Sequence, residues 1–317
     1  MYVQLGLVPT IVASSVDAAE KVLKTYDHIF ANRPHHETSQ HLAYGQKNLV
    51  FAKYGVLAQH TKISLKKEAR NGVWMRTWTR RDSKLLIHTQ AQGSFKVFDE
   101  FFEKIIDKHI HTHEQKQNKD FVDTMMDIMQ SREAKFYTCL AAMDTITSST
   151  EWIQTELLRH SQVTKKLQKE LQEVVGFDRT VGESDLENLN YLDMVVKEGL
   201  RMHPVAPLFY HKSMEDCVID GFHVQKGSRI IINCYTIHMD PNVWPEPEKF
   251  LPERFVGSNV YFCGLHFHLV PFGSERKSFP GMQLAVTIVR LVVVQLVHCF
   301  KWELPNSMQP CDLDIDE

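Results

Sequence analysis

The clearest hydrophobic pattern lies near the end of the chain. Over residues 282–297, apolar side chains recur on nearly every side of a helical projection. A helix that is apolar almost all round is buried in a protein interior rather than half exposed. The preceding residues, 270–282, contain glycine and proline and predict a tight loop. The tip of this loop lies at the helix N-terminus, where free N–H groups and the helix dipole favour negative charge.

The other periodic segments predict mostly helices and a few short strands. Ser14 or Ser15 caps a first helix. Further helices are expected over residues 95–113, over 153–175 as an amphipathic pair, and in a segment that follows Asp185 and ends at 198–204. Strands are expected over residues 2–7 and 10–13, separated at Pro9, and over 218–224 and 228–232.

Composition excludes several classes of protein. The 317 residues are 43% hydrophobic and 24% charged, which is an ordinary globular composition. The net charge of -3 gives no reason to expect a nucleic-acid partner. Six cysteines without CxxC spacing indicate free thiols in a reducing compartment. There is no run of about 18 apolar residues and no basic start typical of a signal peptide, so the sequence predicts neither a membrane span nor secretion.

Two pairs of polar residues carry candidate chemistry. Asp144 and Thr145 follow small apolar residues, and an acid beside a hydroxyl can relay protons, although such a pair also suits a helix N-cap. Glu198 and Arg201 share one helical face at i, i+3. No metal site is predicted. On a helix, the side chains of His109, His111 and His113 point in different directions and do not converge on a metal. His266 and His268 would share a face of a strand, but two ligands are too few for a metal site.

The order of motifs is more specific than any single pair. Glu198 and Arg201 are followed by His203-Pro204, then by Asp240-Pro241 and Trp244, then by residues 252–255 (Pro-Glu-Arg-Phe), and finally by the loop. The loop resembles the haem-binding loop of the cytochrome P-450 monooxygenases, whose pattern is Phe-x-x-Gly-x-Arg-x-Cys-x-Gly. Phe272, Arg276 and Gly281 are assigned to its phenylalanine, arginine and last glycine. Glu275 stands for the other glycine, and Phe279 stands for the cysteine that binds iron.

The resemblance, which covers residues 1–63 and 95–317, implies a fold and a function. The expected fold is mainly α with a small β lobe, a single but incomplete P-450 domain over 1–317. The expected reaction is haem-dependent insertion of one atom of O2 into a small apolar substrate, with electrons from NADPH-cytochrome P-450 reductase, as in plant secondary metabolism. Asp144 and Thr145 take the oxygen-activating positions. His211 and Lys62 take propionate-binding positions, and Glu198, Arg201 and Arg254 form a buried triad behind the loop.

Several departures from the family pattern support a second hypothesis. Phenylalanine has no lone pair, so Phe279 cannot replace the thiolate that promotes O–O cleavage. Ala58 and Lys62 replace a Trp-x-x-x-Arg motif, and lysine lacks the bidentate fork of arginine; both positions also suit a helix surface. The membrane anchor, much of the middle helical region and the last hairpin of the family are absent from the sequence. The alternative is therefore a non-catalytic remnant with weak or no haem binding. The family resides on the cytosolic face of the endoplasmic reticulum, whereas the missing anchor favours the cytoplasm.

The segment over residues 64–94 does not resemble the family. It interleaves lysines and arginines with Trp74 and Trp78. Such a pattern could bind an acidic lipid surface or a nucleic-acid backbone. The interpretation that we favour is a solvated, poorly packed connector.

Overall fold

The computed structural model describes residues 1–34, 132–176, 178–262, 267–274, 278–279, 281–302 and 304, with the backbone alone at 132–143. The chain divides into two compact units, Met1–Pro34 with Asp144–Glu317, and His35–Met143. All the described side chains belong to the first unit. The predicted helix over 95–113, the basic segment over 64–94 and Lys62 lie outside the described residues.

Short strands and longer helices alternate in the first unit. The strands are β1 Tyr2–Leu5, β2 Val8–Ala13, β3 Leu208–Lys212, β4 Cys217–Ile219, β5 Phe222–Val224 and β6 Arg229–Asn233. The helices are α1 Val16–Glu20, α2 Arg132–Arg159, α3 Ser161–Val174, α4 Asn190–Met202, α5 Cys234–His238 and α6 Met282–Cys299. A π-helical turn, Lys21–Thr25, and two 3-10 turns, Glu183–Asn188 and Pro252–Phe255, complete the described elements.

A four-stranded sheet forms the β lobe, in the order β1-β2-β6-β3. The pair β2·β6 is parallel, and the two outer pairs are antiparallel. The chain turns between β1 and β2 at Gly6, which has a φ of 64°. The predicted break at Pro9 is therefore wrong, because Pro9 lies within β2 and faces Gln4. Proline is tolerated there because the ladder with β6 begins one residue later, at Thr10.

The segment over residues 218–224, predicted as one strand, is a hairpin. Strands β4 and β5 pair antiparallel, with Ile219 opposite Phe222. The turn residues Asp220 and Gly221 have φ values of 51° and 81°. Two consecutive residues with positive φ form the type of turn that matches the twist of a two-residue hairpin.

The sheet and its helices enclose one hydrophobic core. Ser15 caps α1 by accepting a hydrogen bond from the Ala18 N–H at 3.3 Å, as predicted. Apolar residues of β2, β6, the π-helical turn and α5 pack together there: Ala13, Val22, Leu23, Ile230, Ile232 and Ile237. Helix α5 follows β6 directly, so this core fixes its position.

The helices form a second core. Leu167 and Leu171 of α3 pack with Val195 and Val196 of α4 and with the buried valines of α6. The carboxylate of Glu170 accepts hydrogen bonds from the N–H groups of Tyr191 and Leu192 at 2.7 and 3.1 Å. Glu170 thereby satisfies free N–H groups at the start of α4 and complements its dipole.

Helix α6 is the core helix that the hydrophobic pattern predicts. Only Gln283 and Cys299 are exposed along it. Among the described residues it is also the one helix long and apolar enough to cross a membrane, so the sequence-based exclusion of any span was too strict. Its buried residues pack into the helical core, which accounts for its apolar composition without a membrane.

Candidate functional site

A buried ion network lies at the end of α4. Glu198 and Arg201, one turn apart, are both fully buried. Arg201 Nε donates to Glu198 Oε2 at 2.8 Å, and Arg201 Nη2 donates to Glu198 Oε1 at 2.9 Å. This is the bidentate geometry in which a guanidinium binds a carboxylate most strongly. The remaining donors of Arg201 reach the carbonyl oxygens of His238 and Pro247 at 2.8 and 2.7 Å.

Arg254 joins this network from the 3-10 turn Pro252–Phe255. Its Nε donates to Glu198 Oε1 at 2.9 Å, and its side chain is 7% exposed. Its other nitrogens donate to the carbonyl oxygens of Pro245, Glu246 and Lys249. The structure thus brings together the three residues that the sequence assigned to the triad. Both guanidinium groups also bind carbonyl oxygens of the irregular segment over residues 245–249, and Arg201 in addition binds the end of α5.

The loop before α6 is closed by main-chain hydrogen bonds. The Gly273 N–H donates to the Val270 carbonyl at 3.1 Å, and Gly273 has a φ of 69°. The Phe279 N–H donates to the Phe272 carbonyl at 2.8 Å. The ring of Phe272 packs edge-on against Phe262, with centroids 5.9 Å apart. In the described part of the loop, main-chain hydrogen bonds and the packing of Phe272 therefore hold residues 270–274 and Phe279 in place.

Phe279 occupies the position assigned to the iron ligand. Its side chain is half-buried, and its ring lies close to Gly281. A Cβ atom added at Gly281 would stand 3.0 Å from Phe279 Cε1, so a larger residue there would push against the ring. An apolar ring thus stands where the family pattern places a thiolate.

Two basic residues bind main-chain carbonyl groups where β3 adjoins residues 30–33. His211 is buried, and its Nδ1 lies 3.0 Å from the Phe30 carbonyl. Arg33 Nη1 donates to the carbonyl of Tyr210, the neighbour of His211, at 2.9 Å. Burial lowers the pKa of Arg33 to about 10, which still leaves the guanidinium charged at neutral pH. The sequence reasoning missed Arg33, although it lies within residues 1–63, which resemble the family.

Asp144 and Thr145 lie inside α2 and have exposed side chains. The helix begins at Arg132, so the alternative that this pair caps a helix is wrong. The Thr145 carbonyl accepts a hydrogen bond from the Ser149 hydroxyl at 2.8 Å. Their position leaves the carboxylate and hydroxyl accessible for proton transfer, but the described contacts do not join them to the loop.

A second buried carboxylate connects α2 to α4. Glu156 is fully buried, with His203 Nε2 2.8 Å from its Oε1 and His160 Nδ1 3.2 Å from its Oε2. Burial opposes ionisation of Glu156, but hydrogen bonds from the two histidines outweigh it and lower its pKa to about 2. The ring of His203 also stacks on Trp152 with centroids 4.3 Å apart. Sequence reasoning missed this cluster because His203 is 47 residues from Glu156 along the chain, although His160 is only four residues away.

Two candidate residues remain untested by the structure. Lys62 and Arg276 lie outside the described residues. Counting the loop pattern from Phe272 also places its arginine at Lys277, so the assignment to Arg276 is wrong by one residue. In the part of the chain that the structure describes, no group of three His, Cys, Asp or Glu residues is arranged to hold a metal ion.

Comparison with solved structures defines the class of fold. A zebra fish cytochrome P450 structure with abiraterone superposes with a TM-score of 0.77, covering 94% of this chain and 87% of that chain at 22% identity. A second, with progesterone, gives a TM-score of 0.75 at 23% identity and covers 98% and 90% of the two chains. At such identities the likeness concerns the fold, which is mainly helical with a small sheet.

Sequence comparison then gives the family. The family model for cytochrome P450 matches residues 84–317. Cytochrome P450 CYP736A12 of Panax ginseng is 36% identical over 413 aligned positions, covering 100% of this chain and 83% of the relative. Tabersonine 6,7-epoxidase isoform 1 of Catharanthus roseus is 28% identical over 409 positions, covering 100% and 81%. The chain therefore belongs to the cytochrome P450 family, whose members are haem-dependent monooxygenases.

The ginseng alignment also shows what this chain lacks. It spans 413 positions, whereas the chain has 317 residues, so at least about 96 positions of the relative face gaps here. Cytochrome P450 84A1 of Arabidopsis thaliana is 41% identical over 250 positions, which cover 69% of this chain and 48% of the relative. Strong local identity thus coexists with missing segments.

Haem, which the family implies, fits this site in part. The half-buried Arg33 and the buried His211 offer basic groups suited to carboxylates. At position 279, however, the side chain has no atom that can donate an electron pair to iron. The residues present therefore do not provide a haem-thiolate centre.

Proposed function

We propose that this chain inherits the architecture of a plant haem-dependent monooxygenase, an oxidoreductase that inserts one atom of O2 into a small apolar compound. Family membership is the observation that carries this proposal. The buried Glu198 network, which is linked to Val270 through His238, and the uninterrupted helix bearing Asp144 and Thr145 support it. In this role the Asp144 carboxylate and the Thr145 hydroxyl would hold and pass on protons.

The cofactor carboxylates would bind to basic residues. Arg33 is the strongest candidate in this structure, because its half-buried guanidinium stays charged and a carboxylate would compensate that charge better than the Tyr210 carbonyl. His211 directly follows Tyr210 in the chain and is the second candidate. Lys62 is a further candidate that the resemblance implies. Haem, when bound, would supply the oxygen chemistry of the family; these residues would only orient it.

A second function is favoured by Phe279. We infer that the chain as written is a non-catalytic member of the family that binds haem weakly or not at all. The phenylalanine ring offers no lone pair, and no cysteine lies within residues 270–282. The two proposals share the fold and differ in whether an iron ligand exists.

The partner and substrate of the first function follow from the family. Electrons would come from an NADPH-cytochrome P-450 reductase on the cytosolic face of the endoplasmic reticulum. The tabersonine epoxidase among the relatives suggests a compound of plant secondary metabolism as substrate. Fractionating plant cells that express a tagged chain would test this location, and recovery only in the soluble fraction would contradict it.

One experiment separates the two functions. The purified chain is mixed with haemin, reduced and exposed to carbon monoxide, and then assayed with a plant reductase against a panel of apolar compounds. We expect no thiolate-type carbon monoxide band and no product, because Phe279 cannot bind iron. The Phe279→Cys variant is the matched control for the band. A thiolate-type band with product from the unmutated chain would restore the first function.

A further inference from the structure

Helix α5 holds both ends of one peptide unit at the base of the loop. The His238 Nε2 accepts a hydrogen bond from the Val270 N–H at 3.0 Å. The Cys234 thiol donates to the Val270 carbonyl at 3.4 Å. Cys234 and His238 are fully buried, as is Val270. Because the two side chains are at i and i+4, they project from the same face of α5 toward this residue.

Val270 is the first residue of the loop and accepts its first main-chain hydrogen bond. Its carbonyl also accepts the Gly273 N–H that forms the first turn. After that turn, the Phe272 carbonyl accepts the Phe279 N–H, which sets the backbone at the position assigned to the iron ligand. A displacement of Val270 would therefore be transmitted through two main-chain hydrogen bonds to Phe279.

The other side of α5 is held by the buried ion network. Arg201 Nη1 donates to the His238 carbonyl at 2.8 Å, and Arg201 is itself held by both oxygens of Glu198. His238 thus contacts the network through its backbone and the loop through its imidazole. From Glu198 through Arg201 and His238 to Val270, each contact is a hydrogen bond between buried residues. The two main-chain hydrogen bonds of the loop then lead from Val270 to the half-buried Phe279.

We propose that His238 and Cys234 are positioning residues, which transmit the placement of the Glu198–Arg201 pair to the loop over residues 270–279. The role of His238 depends on its Nε2 atom being an acceptor, and that of Cys234 on its thiol being a donor. This inference goes beyond the proposed function and holds whether or not the protein binds haem.

The protonation of the imidazole agrees with this role. Burial, reinforced by the charge of Arg201, lowers the pKa of His238 to about 3, so the ring is neutral at ordinary pH. Since Nε2 accepts from Val270, the ring proton is on Nδ1. Within the described residues, Nδ1 has no hydrogen-bond partner. Of the two ring nitrogens, only Nε2 has a hydrogen-bond partner in the part of the chain that the structure describes, and that partner is the Val270 N–H of the loop. Positioning of the loop by His238 therefore depends on Nε2.

A pair of matched variants tests the proposal in the full chain without haem. The side-chain amide of glutamine reaches the position of Nε2, whereas that of asparagine reaches only the position of Nδ1. We expect His238→Asn to raise amide hydrogen exchange at Val270, Gly273 and Phe279 about tenfold, the effect of losing one buried hydrogen bond. Exchange in α3 should not change, and His238→Gln should restore most of the protection in the loop.

The thiol is tested in the same way. Cys234→Ala removes the donor and should raise exchange in the loop, whereas Cys234→Ser keeps a donor and should not. Equal exchange in the Asn and Gln variants, or uniform loss of protection across α3 and the loop, would overturn the proposal. If the His238 variants do not fold, ¹⁵N spectra of labelled histidine in the unmutated chain still decide it. A proton on Nε2 would contradict the proposed hydrogen bond.

Discussion

Replacing Glu198 with glutamine tests the ion network most directly. The carboxylate accepts hydrogen bonds from Arg201 Nε and Nη2, from Arg254 Nε and from the Leu251 N–H, all at 2.8–2.9 Å. Glutamine has nearly the same shape, but its NH2 group must face donors. The substitution therefore removes the negative charge and one set of acceptor lone pairs without creating a cavity.

The expected cost follows from burial. Arg201 is fully buried and the Arg254 side chain is 7% exposed, so neither guanidinium can regain the water that it lost on folding. Breaking a buried ion network by removing one partner typically costs about 3–5 kcal/mol. Since single domains are stable by about 5–15 kcal/mol, Glu198→Gln should remain folded in buffer with a much lower free energy of unfolding.

Urea unfolding at neutral pH measures this cost, and Glu173→Gln is the matched control. Glu173 pairs with Lys169 at 3.8 Å on the surface of α3, where both side chains are more than half exposed. Neutralising it should change the free energy of unfolding by about 0.5 kcal/mol or less. Adding 1 M salt should reduce the small control effect and leave the Glu198 effect nearly unchanged, because buried pairs are screened less.

The result that would refute this reasoning is a small difference between the two variants. If Glu198→Gln costs less than about 1 kcal/mol more than Glu173→Gln, water or another group must compensate the two guanidinium groups. A change in the slope of the urea transition would instead indicate that the substitution altered the cooperativity of unfolding.

Three further predictions concern other parts of the chain. Phe279→Cys should give a thiolate-type carbon monoxide band with haemin but no turnover at the rate of the family, because Ala58 and Lys62 remain unfavourable and small misplacements cost orders of magnitude; normal turnover would make Phe279 the one serious lesion. The pKa of Glu156 is lowered from 4.5 to about 2, so its stabilising effect is complete above about pH 5 and lost as the pH falls toward 2. The midpoint of urea unfolding should therefore fall over this pH range, and Glu156→Gln should make that dependence on pH weaker. Gly199→Ala places a Cβ atom 2.3 Å from Ile153 Cγ1 and should cost about 1–3 kcal/mol, less when Ile153→Ala removes that atom; an equal cost in both backgrounds would contradict the clash.

Sequence patterns predicted the parts of the site that are local in sequence. Glu198 and Arg201 lie one turn apart on one helix, and the apolar composition of α6 predicts a buried helix. Arg254 was assigned because its motif follows in a fixed order. The core of α3, with Leu167 and Leu171, followed from helical periodicity in the same way.

Other contacts could not be predicted because they form only after folding. The Val270 N–H meets His238 across distant segments, and Glu156 meets His203 at the end of another helix. Hydrophobic periodicity carries no information on such polar contacts. The hairpin at Asp220 was missed for a different reason: Asp-Gly is a signal for a two-residue turn, and the prediction of one strand over residues 218–224 did not include it.

The Phe279 N–H bond to the Phe272 carbonyl has a consequence for how such a chain persists in a cell. The bond uses the main chain, so it forms with any residue except proline at this position. Cellular degradation responds to the population of opened forms and not to catalytic competence. A substitution here can thus abolish chemistry while leaving the half-life of the protein unchanged. Chaperones and proteases would not remove such a product, and it would accumulate to the same level as a working enzyme of equal stability.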